Sequence, residues 1–193
     1  MNTIRLEAFS DAVFAIILTI MVLEFKVPHG ADLADLLPLW PVFISYVLSF
    51  VYVGIYWNNH HHLFHMTKSV NGAVLWSNLL MLFWLSLLPF ATAWMGENHF
   101  AAIPLAVYCF DLWMCAVTSF ILVNAIFRHE GPDSDLKQTV GDMRKFQASL
   151  LLSTLSMPAA LLFHPLVAGL MVASVAGIWF LPDPRIEKAA FKH

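Results

Sequence analysis

Long apolar runs separated by short polar stretches set the pattern of this chain. A helix needs about 20 consecutive apolar residues to cross a bilayer core. Six runs approach or reach that length, at roughly 4–25, 40–62, 71–95, 101–127, 146–163 and 165–182. The last two are divided only by Phe163-His164-Pro165, which predicts a tight turn. The pattern predicts an all-α membrane protein whose six transmembrane helices form one domain over residues 1–193. The first run differs from the others. Arg5, Glu7, Ser10 and Asp11 crowd its first two turns, and between Asp11 and Glu24 only Thr19 is polar. It is too long for a secretory leader, has acids near its start and lacks a small-residue cleavage site, so it is expected in the mature protein.

Composition agrees with a polytopic membrane protein. The 193 residues are 60% hydrophobic and 12% charged, against about 45–50% and roughly 25% in soluble domains; mean hydropathy is +0.72. A net charge of −3 gives no nucleic-acid signal. Cys109 and Cys115 lie in one apolar run and form neither a disulfide framework nor a metal-binding pair, so both are read as small buried hydrophobes. Basic residues set the orientation. With the N-terminus inside, Arg5, Lys68, Arg128, Lys137, Arg144, Lys145, Arg185, Lys188 and Lys192 all fall on the cytoplasmic side and only Lys26 falls outside. That asymmetry places both termini in the cytoplasm. The sizeable hydrophilic loop after the fourth run opens with a Gly131-Pro132-Asp133 turn and is expected to continue as a short solvated helix, too short for a catalytic domain. The connection after the first run, "VPHGADLADLLP", is acidic and lies outside.

At about 100° per residue, Arg5, Phe9, Ala12, Ile16, Thr19, Ile20 and Leu23 share one stripe of the first helix. Glu7, Asp11, Phe14, Leu18 and Phe25 lie opposite. Charges inside a membrane face protein or water rather than lipid, so Asp11 is expected against other helices of its own subunit as part of a polar knot; a direct role in ion entry is the competing reading. By pattern alone the apolar stripe reads as packing surface.

The second run ends in "YWNNHHHLFH", with His60, His61, His62 and His65. Histidine clusters can hold metal. Here no carboxylate cluster accompanies them, and His29, His99, His129 and His164 are scattered, so packing and hydrogen bonding are expected, with no metal and no cofactor. "YVGIY" at 52–56 faintly resembles a carbonyl filter but lacks a second glycine and a preceding pore helix, so no re-entrant P-loop is expected. Asp111 in the fourth run reads as a hydrogen-bonded structural acid, with a proton-relay acid as the competing role.

Three motifs in order carry a resemblance: Arg5-x-x-x-Phe9-Ser10-Asp11, then "WNNHHHLF" at 57–64, then "NLLMLFWLSLLP" with Asn78 and Pro89. Together they resemble the signature of the transmembrane protein 175 family, the endosomal and lysosomal potassium channels and their bacterial relatives. The resemblance covers roughly residues 4–95. A single Phe-Ser-Asp copy is similar to the bacterial type, which implies a homotetramer in the bacterial inner membrane. It implies a potassium-selective cation channel, not an enzyme, whose pore is lined by the first helix of each subunit. Potassium and other monovalent cations would be the permeant species. The family's constriction falls on Ile16, its hydroxyl layer on Thr19, and Ile20 and Leu23 continue the narrow section. Arg5, Phe9, Ser10, Asp11, Trp57, His60 and Asn78 would form the signature polar network bracing that helix. His61, His62 and His65 have no counterpart in this scheme. A membrane metalloenzyme built on the histidine box and a proton-coupled secondary transporter are the competing functions.

Overall fold

The computed structural model describes residues 3–131, 134 and 144–180. Among them the chain is helical. It runs through α1 (Thr3–Leu23), a short 3-10 helix (Leu33–Leu39), α2 (Trp40–His65), α3 (Gly72–Glu97), α4 (Ala102–Glu130), α5 (Arg144–Leu162) and α6 (Pro165–Phe180). Six α-helices agree in number with the six apolar runs. The helix expected in the hydrophilic loop lies outside the described residues, as do Lys137, Arg185, Lys188 and Lys192.

Local chemistry explains most boundaries. Asn71 precedes α3 in extended conformation, and its side chain accepts from the Val74 backbone N–H at 3.0 Å, satisfying one of the donors a helix start leaves unpaired. Pro165 opens α6, where a missing N–H costs nothing. The adjacent His164 ring takes the Leu166 N–H at 3.1 Å, so the expected Phe163-His164-Pro165 turn is present. Gly131 closes α4 at φ 92, a backbone region open to glycine. The connection between α1 and α2 holds more structure than its composition suggests, because Asp35 takes the Asp32 N–H at 3.1 Å and sets up the 3-10 helix. Residues 52–56, the filter decoy, lie within continuous α2.

Among the described residues four segments are long and apolar enough to cross a membrane: Thr3–Leu23, Leu33–His65, Gly72–Glu97 and Ala102–Glu130. Helix α5 opens with Arg144-Lys145 and carries Ser149, Ser153, Thr154 and Ser156. Helix α6 is apolar but has 16 residues, about 24 Å of rise.

Helix α3 packs on α4, α5 pairs with both α4 and α6, and α1 leans on α3 and α2 at one edge of the bundle. Apolar packing dominates, with Val53, Val74, Leu85, Leu88, Met95 and Tyr108 wholly buried. Hydroxyls tie helices where hydrocarbon offers no partner. Ser49 Oγ lies 2.7 Å from Thr92 Oγ1 and 3.0 Å from Tyr108 Oη, Tyr52 donates to the Val172 carbonyl at 2.6 Å, and Trp179 Nε1 donates to Ser149 Oγ at 2.7 Å. At the far end of α3, Gly96 meets α2 so closely that an added Cβ would stand 2.9 Å from Val42 Cα.

Candidate functional site

Helix α1 is held to the rest of the subunit by its polar end. Ser10 is fully buried and donates its hydroxyl hydrogen to the Leu6 carbonyl at 2.9 Å. The oxygen can then only accept, and it does so from Asn78 Nδ2 on α3 at 3.0 Å. That fixes the amide of Asn78, whose oxygen faces His60 Nε2 on α2 at 2.8 Å. His60 must therefore carry its hydrogen on Nε2 and donate it. The ring sits between Phe14 and Phe64, at centroid distances of 5.5 and 4.5 Å. Its other nitrogen is buried without a hydrogen-bond partner. One chain of hydrogen bonds thus passes through three helices.

A second set of contacts lies beside it. Trp57 Nε1 donates to Asp11 Oδ1 at 3.0 Å, and His61 Nδ1 bonds Glu7 Oε1 at 2.9 Å. His61 stacks between Trp57 and His65, each centroid 6.1 Å away. The Glu7–His61 pair is absent from the sequence reading. Its signal was present: once Asp11 is set opposite Trp57, an antiparallel pair of helices brings the residue one turn earlier on α1 beside the residue one turn later on α2.

Arg5 stands apart from this network. Its side chain is exposed, and among the described residues it makes no hydrogen bond or ion pair. The physical reason is its angle on the helix, which puts it on the stripe with Phe9 rather than on the face carrying Glu7 and Asp11.

The two faces of α1 differ sharply within one subunit. Leu6, Phe14, Ile17 and Met21 are 5% exposed or less. On the other side Phe9 is 51% exposed, Ile16 55%, Ile20 42% and Leu23 77%; Ala12 and Thr19 are exposed as well. Leu18 is half-buried against the core. The Thr19 hydroxyl donates back to its own helix, to the carbonyls of Ile16 at 2.9 Å and Ala15 at 3.1 Å. It therefore presents a lone pair and a methyl outward. Beside the stripe runs a groove of about 540 Å³ between α1 and α3, lined by Val13, Ile17, Ile20, Pro89 and Phe90. At the end of the groove where Glu97 lies, Lys26 reaches Glu97 at 2.7 Å, and Glu97 raises the pKa of Lys26 by hydrogen bond and charge.

The histidine box does not converge. Successive helical residues point about 100° apart, so His60 is buried while His61 and His65 are exposed. Among the described residues no three His, Cys, Asp or Glu side chains are placed to hold a metal. Asp111 is 4% exposed on α4, and both its carboxylate oxygens lack a hydrogen-bond partner. The expectation of a hydrogen-bonded structural acid is therefore corrected. Cys109 and Cys115 are buried and unbridged.

The family described as endosomal/lysosomal potassium channel TMEM175 matches residues 5–89, the stretch that contains the whole polar brace. A potassium channel of Chryseobacterium sp. is 52% identical over 185 residues, covering 96% of each chain. A potassium channel of Streptomyces collinus is 41% identical over 97 residues, 48% of this chain and 47% of its own. The crystal structure of a lysosomal potassium-selective channel TMEM175 homolog from Chamaesiphon minutus superposes with a TM-score of 0.79 at 26% identity, covering 92% of this chain and 96% of that one.

Proposed function

This chain belongs to the TMEM175 family of channels, and from that premise we propose that it is a potassium-selective cation channel whose pore is lined by α1 from four identical subunits. The proposal includes a single six-helix domain over residues 1–193, with six membrane spans, both termini cytoplasmic, in a bacterial inner membrane. Membership of a channel family leaves no role for a histidine-box enzyme.

The observation that carries the reading is the exposed stripe Ile16, Thr19, Ile20 and Leu23 on a helix whose opposite face is buried. One stripe cannot enclose a passage. Several copies around an axis can, and closed symmetry is the usual outcome. Ile16 would form the narrowest ring, with Ile20 and Leu23 continuing it and Thr19 offering oxygens between them. An apolar ring blocks ions by dewetting when narrow. Slightly wider, it favours the ion that sheds water more readily, potassium over sodium. The brace of Ser10, Asn78, His60, Asp11 and Trp57 would hold the helix at the radius this requires.

Ion flux in liposomes under a potassium gradient tests conduction, and bi-ionic reversal potentials test the sieve. Ile16→Ala should widen the ring, raising conductance and lowering potassium preference. Ile16→Asn should act the same way by wetting it at similar volume. Leu18→Asn, on the core side, should lower stability and leave ion preference intact. Unchanged selectivity in both Ile16 variants would move the constriction to Thr19, Ile20 or Leu23; absence of flux in the wild-type tetramer would overturn the channel itself.

A further inference from the structure

At the end of the bundle where α1 begins, the close of α4 is fastened to the turn between α2 and α3. Glu130 Oε1 accepts from the backbone N–H groups of Lys68 at 2.9 Å and Ser69 at 3.3 Å. His129 lies 2.9 Å from Ser69 Oγ through Nε2 and 3.2 Å from Asn71 Nδ2 through Nδ1.

The direction of these bonds follows from one fixed point. Asn71 Oδ1 accepts from the Val74 N–H and caps α3. A backbone N–H can only donate, so the oxygen is committed there and the amide nitrogen is turned toward His129. That nitrogen has only hydrogens to give, so Nδ1 of His129 must be a bare lone pair. The ring hydrogen is then on Nε2 and is donated to Ser69. The Asn71 contact exists only for the neutral ring in this one tautomer, whereas the Nε2–H bond to Ser69 survives protonation.

We propose that His129 is a proton-operated latch: protonation of its ring breaks the bond to Asn71 and loosens the end of α4 on the α2–α3 turn. A hydrogen added at Nδ1 would face the N–H of Asn71. The amide cannot turn over to offer its oxygen without surrendering the cap of α3. Acidification of the solution at this face therefore loosens one arm of the latch while Glu130 keeps the other. Among the described residues, the charged groups on its own helix beside it are Arg128 and Glu130, and Lys68 lies in the turn that Glu130 binds. Helix α3 carries no titratable side chain before Glu97. Glu130 is the one acid of this set, and its Oε1 is spent on two backbone donors. In the orientation proposed above this face is cytoplasmic, but the latch itself does not depend on conduction.

Amide hydrogen exchange on the full chain in nanodiscs, corrected for intrinsic rate, reads the turn at 66–74 directly. Between about pH 8 and about pH 5.5, exchange there should rise about three- to tenfold, the loss of one hydrogen bond. H129Q can offer an oxygen to Asn71 and a nitrogen to Ser69 without titrating, and its response should be flat. N71D keeps an oxygen for Val74 and turns the other to His129, so protonation should now tighten the turn and the response should change sign. A wild-type turn indifferent to pH, an H129Q chain that keeps the wild-type response, or an N71D response of unchanged sign would each overturn the latch. Normal potassium flux with any of these results would sink the latch alone, and absent flux with the expected exchange would sink the channel reading alone.

Discussion

Asn78 Nδ2 donates to Ser10 Oγ over 3.0 Å, both side chains fully buried, and through this bond α3 holds the helix that carries the exposed stripe. Leucine at position 78 would orphan the His60 Nε2–H in a dry setting, at about 1–3 kcal/mol for each buried group left unpaired. Asn78→Leu should therefore lower subunit stability by about 2–4 kcal/mol. Ser10→Ala should cost less, since it removes one acceptor. Because the two share a bond, the double variant should lose less than the sum, by about 0.5–3 kcal/mol. Thermal unfolding of the four proteins in detergent closes the cycle, and strict additivity would deny the coupling.

Asp11 and Trp57 make the neighbouring contact, at 3.0 Å, but Trp57 is 44% exposed. Water can therefore replace part of what is lost. Asp11→Ala should destabilise by about 1–2 kcal/mol, and Trp57→Phe, which keeps a ring against His61, by a similar amount. Asp11→Asn retains an oxygen for the indole and should stay within about 0.5 kcal/mol of wild type. Native mass spectrometry should find fewer assembled copies of Asp11→Ala. A stable Asp11→Ala assembly with altered ion preference would place this carboxylate in the conduction path instead.

Arg5 leads to the opposite expectation. With no partner among the described residues of its own subunit, its removal orphans nothing inside the fold. Arg5→Ala should leave thermal stability of the isolated subunit within about 0.5 kcal/mol. Any loss should appear in assembly or conductance, where four such side chains would face one axis or a neighbouring copy. Subunit unfolding as severe as that of Asn78→Leu would show that the arginine has a partner within its own subunit.

What could be read in the sequence divides along a physical line. The faces of α1 are legible because a helix repeats every 3.6 residues: Ile16 and Phe14 must point apart, and they differ as 55% and 1% exposed. The turn at 163–165 is legible because Pro165, with no N–H to give, suits the first position of a new helix. Contacts between helices are not, since residue spacing within one element says nothing of its register against another. Glu7–His61 follows only once the Asp11–Trp57 register between α1 and α2 is known, and Arg5 lies on a different face of α1 from Glu7 and Asp11. The bare carboxylate of Asp111 is a property of its surroundings, which no local pattern encodes. The 3-10 helix at 33–39 escaped because Gly30, Asp32 and Pro38 all read as loop, while Asp35 supplies the bond that orders them.

Gly96 offers a test of packing independent of any charge. An alanine methyl there would collide with Ser45 Oγ and stand 2.9 Å from Val42 Cα on α2. A side-chain oxygen can be removed, but a backbone carbon moves only with its helix. Gly96→Ala should therefore cost about 1–3 kcal/mol, the usual range for forcing extra volume into a packed contact. Adding Ser45→Ala should recover only part of the loss, because the Val42 contact persists. The strain is placed where α3 meets the end of the groove beside Ile20, with Glu97 the next residue along. Thermal unfolding of the single and double variants measures both terms. Full rescue by Ser45→Ala would mean that the hydroxyl alone sets the spacing and that the α2 and α3 backbones have room to spare.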